Sequence, residues 1–83
     1  ERMDREPTFR QLELVRLIYN YTKRNGYAPS RREVARMMGV ASLNAITDML
    51  NAIYKKGLAV SVPNRARSLQ VTEAGQRAIG VIV

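Results

Sequence analysis

Neither cysteine nor histidine occurs in the chain. Disulfides and thiolate metal sites are thereby excluded, and the commonest general base and the usual zinc ligand are missing. This argues against a conventional hydrolase or metalloenzyme, and no cofactor is expected. No apolar run approaches the ~20 residues of a membrane span, and no signal-peptide pattern opens the chain. The default expectation is a cytoplasmic protein that does not enter a membrane. Acidic residues are scarce as well: 7 Asp+Glu stand against 14 Lys+Arg, for a net charge of +7. Arginine dominates the cations, and its planar fork grips phosphate oxygens in pairs, which favours a polyanionic partner. At 83 residues, with 46% hydrophobic and 25% charged, the chain has room for one globular core of modest stability.

Charged, aperiodic residues at 1–7 read as a loose N-terminal arm, and the domain is expected over 8–83. Thr8 and Gln11 have the spacing of a capping box, in which each side chain satisfies an orphan backbone donor. Apolar residues follow at Phe9, Leu12, Val15, Ile18 and Tyr21, predicting a helix with that face inward, closed at Asn25-Gly26. Ser30 and Glu33 form a second box. It opens a short helix with Val34, Met37 and Met38 facing the core, ended by Gly39. Ser42 is a third N-cap candidate, and Ile46, Met49, Leu50 and Ile53 mark the buried stripe of a longer helix ending at Lys55-Lys56-Gly57. Its other face carries Asn44, Thr47, Asp48, Asn51 and Lys55.

The period then changes to two. Leu58, Val60 and Val62 alternate with small residues, Pro63 to Arg67 reads as a turn with two exposed arginines, and Leu69 and Val71 return. This predicts a hairpin over about 58–71. Thr72 is placed to cap a terminal helix over 72–79, before the apolar tail Val81-Ile82-Val83. The expected fold is mainly α with a small β-hairpin: a winged helix-turn-helix, in which the second helix of the pair lies in a nucleic-acid groove.

Arg31 and Arg32 stand at the positive end of their own helix, a poor position for cations in isolation. The placement becomes favourable if a phosphate docks there on Ser30, the free backbone N–H groups and an arginine. Asn64, Arg65 and Arg67 at the wing tip, with Lys55 at the helix end, are further phosphate or minor-groove candidates. On the outward helix face, an Asn amide can pair with adenine, hydroxyls serve several bases, and Asp48 can accept from a cytosine amine. Tyr19, Tyr21, Tyr27 and Tyr54 are read as core edge rather than as base-stacking platforms. The plain alternative for all these polar residues is a solvated surface.

The runs NGYAPSRREVARMMGV, SLNAITDMLNAIYKKGL and PNRARSLQV, together with Arg10-Gln11, resemble the N-terminal DNA-binding domain of the LexA repressor family over Thr8 to Val71. The resemblance implies sequence-specific double-stranded DNA binding by a nucleoid-associated repressor. It also implies base reading by Ser42, Asn44 and Ala45, with Thr47 and Asp48 where that family carries two acids and Leu43 where it carries proline. Asn51 joins them on the physical reading of the same face. The operator is therefore expected to differ while the binding mode is kept.

In the LexA-like reading, dimerisation comes mostly from a C-terminal self-cleaving domain, and no serine-lysine pair follows the wing. Ala74-Gly75 repeats the dipeptide at which such repressors cut themselves, although it falls in an expected helix start. Two alternatives remain. VTEAGQRAI also resembles the strand-to-helix junction of MarR-type regulators, where a terminal helix helps dimerise, which would make a stand-alone homodimer; in a compact LexA-like relative, residues 81–83 would instead be the route to self-association. A winged-helix module that binds protein rather than DNA would instead show an apolar face on the third helix.

Overall fold

The computed structural model describes residues 6–81, so most of the expected arm and the end of the apolar tail lie outside the described residues. Among the described residues, four helices and one hairpin follow in order: α1 (Phe9–Asn25), α2 (Arg31–Met38), α3 (Leu43–Lys55), β1 (Ala59–Val60), β2 (Gln70–Val71) and α4 (Glu73–Ala78). Every N-cap is the expected Ser or Thr. Thr8 and Ser30 form complete capping boxes with Gln11 and Glu33, while the Ser42 and Thr72 hydroxyls accept from the N–H groups of Ala45 and Gly75. Each side chain satisfies a donor that the first helical turn leaves unpaired. Gly26 and Gly39 end α1 and α2 at φ +80° and +72°, the left-handed conformation that favours glycine.

The core is apolar among the described residues. Leu14, Val15 and Ile18 of α1 meet Val34, Ala35 and Met38 of α2 and Ile46, Leu50 and Ile53 of α3, with Ala28, Leu58, Ala59 and Leu69 closing the sides. Two inward faces differ from expectation. Phe9 is 83% exposed, and Leu14 takes the central position in α1. A pure i, i+3 series slips about 60° per step on a 3.6-residue helix, so Phe9 and Tyr21 cannot share one face with Val15. In α2, Ala35 is buried and Met37 is 42% exposed, because a two-turn helix seals only its i, i+1, i+4 edge.

The hairpin is antiparallel, with Ala59 opposite Val71 and Val60 opposite Gln70. The ladder is shorter than the alternation suggests. Beyond Val60 the Ser68 side chain replaces the backbone: Val62 N–H donates to Ser68 Oγ at 2.8 Å, and that hydroxyl donates to the Val62 carbonyl at 3.1 Å. α4 folds back onto its own chain, where Arg16 of α1 donates to the Ile79 carbonyl at 3.4 Å. Ala74-Gly75 lies in the first turn of α4, and Gly75 is buried.

Several cations serve the fold. Arg10 reaches the Met38 carbonyl at the negative end of α2 at 3.1 Å, and Lys56 donates to the Glu6 carbonyl and to Gln11 Oε1, both at 2.8 Å. These bonds tie the start of α1 to the ends of α2 and α3, and positive charge at a helix C-terminus is electrostatically favoured there. The architecture is a winged helix-turn-helix: α2 and α3 are joined by the Gly39 turn, and the hairpin stands beside α3.

Candidate nucleic-acid interface

The face of α3 opposite Ile46, Leu50 and Ile53 is open to solvent. Ser42, Asn44, Ala45, Asp48, Asn51 and Lys55 are all exposed. Thr47 differs from them: it is half-buried, and its hydroxyl accepts from Arg31 Nη1 at 3.1 Å. Thr47 thus faces the flank of the helix towards α2, and Arg31 is drawn across to α3 rather than standing free at its own helix end.

A cleft of about 710 Å³ separates α3 from the wing. Ser30, Arg31 and Arg32 line one end, Leu43, Thr47 and Asn51 the α3 side, and Pro63 to Ser68 the wing side. At the start of α2 the Ser30 hydroxyl accepts from Glu33 N–H at 3.1 Å, and Ser30 N–H donates to Glu33 Oε1 at 2.8 Å. The capping box takes the Ser30 N–H and uses its hydroxyl only as an acceptor, which leaves the Ser30 O–H and the Arg31 and Arg32 backbone N–H groups as the free donors of that turn. Arg32 is exposed, and neither arginine joins a salt bridge among the described residues.

The two wing arginines part ways. Arg65 is exposed at the tip beside Asn64, which adopts a left-handed φ of +63°. Arg67 turns back to the body of the domain. Its Nη1 and Nη2 pair with the two carboxylate oxygens of Glu33 at 3.0 and 3.2 Å, Nη1 also donates to the Ala28 carbonyl at 2.8 Å, and the guanidinium lies 4.9 Å from the Tyr27 ring centroid. Tyr27 meets Tyr21 edge-on at 6.0 Å, and the Tyr21 hydroxyl donates to Glu33 Oε1 at 3.3 Å. The hydrogen bonds from Arg67, followed by the Ser30 N–H, pull the Glu33 carboxyl down from 4.5 to about 2.

Sequence reasoning did not place Glu33, Tyr21 and Tyr27 against the wing, since it assigned Glu33 to the capping box alone. The available signal was weak: Glu33 is the sole acid between Tyr27 and Val40 in a strongly basic surround, where a carboxylate attracts a distant cation. Among the described residues no group of three or more His, Cys, Asp or Glu side chains is placed to hold a metal ion, and no helix is long and apolar enough to cross a membrane.

The family model for the LexA DNA binding domain matches residues 4–68. The LexA repressor of Cellvibrio japonicus is 37% identical over 67 residues, covering 81% of this chain and 34% of that protein. The Oenococcus oeni LexA repressor is 33% identical over 72 residues, or 87% and 34% of the two chains, and that of Anaeromyxobacter dehalogenans 36% over 73, or 88% and 32%. The chain spans about a third of the length of these curated relatives. With a helix pair, a basic wing and a family match that runs from the first helix into the wing, the chain belongs to the LexA DNA-binding domain family.

Proposed function

We propose that the domain binds double-stranded DNA sequence-specifically as the DNA-reading part of a cytoplasmic, nucleoid-associated transcriptional repressor. The observation that carries this reading is the outward face of α3. Asn44, Asp48, Asn51 and Lys55 form a polar, unobstructed strip beside a cleft whose other wall is a basic wing. An α-helix fits the major groove, and short amide and carboxylate groups meet base edges there. Ser42 and Ala45 complete the reading surface at its N-terminal end, with Thr47 acting through Arg31. Arg31, Arg32 and the free N–H groups of α2 receive phosphate at one side of the groove, Asn64 and Arg65 at the other, and Lys55 beyond the helix end. An exposed apolar face, the signature of a protein-binding module, is not what α3 presents.

Titration of a duplex pool at two salt concentrations tests the reading. Neutralising several phosphates releases their counterions, so affinity falls steeply as salt rises; a flat response refutes the proposal. Asn44→Ala relaxes sequence preference, while Arg65→Ala lowers affinity for all sequences and flattens the salt slope. Selecting bound duplexes from the same pool also reads assembly: a palindromic site indicates that two copies bind together.

A further inference from the structure

We propose that Arg67 is a positioning residue for duplex binding: it anchors the wing to Glu33, fixes the width of the cleft beside α3, and raises affinity without touching the nucleic acid. This rests on the DNA-binding reading above and assigns one of its arginines a different task.

The geometry carries the inference. Both terminal nitrogens of Arg67 face the two oxygens of Glu33, and one also serves the Ala28 carbonyl. That bidentate fork is the arrangement a phosphate would otherwise occupy. Arg65, two residues away, is in no ion pair among the described residues. The β ladder stops at Val60 and Gln70, and the Ser68 link extends it only to Val62. Among the described residues, Arg67 makes the only hydrogen bonds from wing residues 63–67 to the helical body. Its backbone sits at φ +57°, an uncommon conformation for a residue with a side chain. This turn directs the side chain away from the tip and onto α2. The same contact neutralises Glu33, the carboxylate nearest the turn where a phosphate would dock.

Glu33→Gln separates positioning from direct contact. Glutamine serves the same capping role in the box formed by Thr8 and Gln11, so α2 keeps its cap, and a thermal melt verifies the fold. On charge alone, removing a carboxylate from a DNA-facing surface tightens binding. The positioning role requires the opposite. With a duplex selected by the wild-type protein as probe, at one fixed salt, Glu33→Gln weakens binding roughly threefold and Arg67→Ala roughly tenfold, and the double variant is no weaker than Arg67→Ala, as for residues acting through one contact. The loss on Arg65→Ala also shrinks in the Arg67→Ala background, because an unanchored wing no longer holds Arg65 in place. Backbone ¹⁵N relaxation, recorded without DNA, shows residues 61–67 rigid in the wild type and loosened in Arg67→Ala.

The proposal is overturned if Glu33→Gln binds as tightly as wild type or more so, or if the losses on Arg65→Ala and Arg67→Ala simply multiply. A loss confined to Arg67→Ala assigns that residue to phosphate instead. Should the wild-type protein bind no duplex at all, the DNA-binding reading fails, and an unchanged wing in the relaxation data separately removes the anchor.

Discussion

Replacing Gly75 by alanine should destabilise the domain, although the site lies in a helix where alanine is ordinarily preferred. Gly75 has no positive φ, so its conformational freedom is not the reason it is glycine. The reason is space. A Cβ there would overlap the Leu58 carbonyl oxygen and stand 2.7 Å from Val71 Cγ1 and 3.0 Å from the Leu58 carbonyl carbon. The Leu58 carbonyl cannot simply retreat, because it accepts the Thr72 N–H at 3.0 Å while the Thr72 hydroxyl donates to Gly57 O at 2.6 Å. These bonds fasten α4 to the base of the hairpin.

Overpacking costs about 1–3 kcal/mol, and a clash with backbone rather than a movable side chain belongs at the upper end. Alanine's helix propensity returns about 1 kcal/mol, leaving a net loss of about 2 kcal/mol. At roughly 4–8 °C per kcal/mol for a domain of this size, Tm falls by about 8–16 °C. The comparison variant is Gly80→Ala, where nothing lies within 4 Å but φ is +94°. That strain is about 1–2 kcal/mol, from backbone conformation alone. Thermal and urea melts of both variants against wild type provide the assay. A Gly75→Ala protein that melts within about 3 °C of wild type, or above it, refutes the close-approach argument.

Three further outcomes are expected. Ser42→Ala loses about 1 kcal/mol of stability and Ser42→Gly only a few tenths, since glycine tolerates the cap position; a Ser42→Ala urea midpoint equal to wild type would show that the Ser42 hydroxyl does not cap α3. Glu33, held near a pKa of 2 by Arg67, contributes stability that is intact above its unfolded value of 4.5 and is lost as pH falls from there towards 2. Tm of Glu33→Gln therefore changes less steeply over that acid interval than wild type, and parallel curves would contradict the bond assignment. Arg10→Ala, which strips the Met38 carbonyl of its donor, lowers stability by about 1 kcal/mol, read as a drop in urea midpoint; an unchanged midpoint would assign that carbonyl to solvent.

Much of this protein is local chemistry and was legible as such. Ser or Thr before each helix, Gly26 and Gly39 after two of them, and the change from helical to alternating apolar spacing at Leu58 each act within a few residues. Helix starts, stops and the hairpin therefore follow from sequence alone. The outward strip of α3 was legible too, because 3.6-residue periodicity places Asn44, Asp48, Asn51 and Lys55 opposite a strong apolar stripe.

What the fold decided involves partners distant in sequence. No local rule brings Arg67 to Glu33 across 34 positions, or Arg31 to Thr47 across 16. Both pairs form only once core packing has set α2 beside α3 and the wing beside both. The free or engaged state of an arginine is settled by which acceptor lies within reach, and that is a property of the assembled surface. Gly75 makes the same point for packing, since its requirement comes from the Leu58 backbone, 17 positions earlier at the base of the hairpin. Periodicity fixed which elements form and which face of α3 looks outward; tertiary packing alone determined which cations remain free for a polyanion.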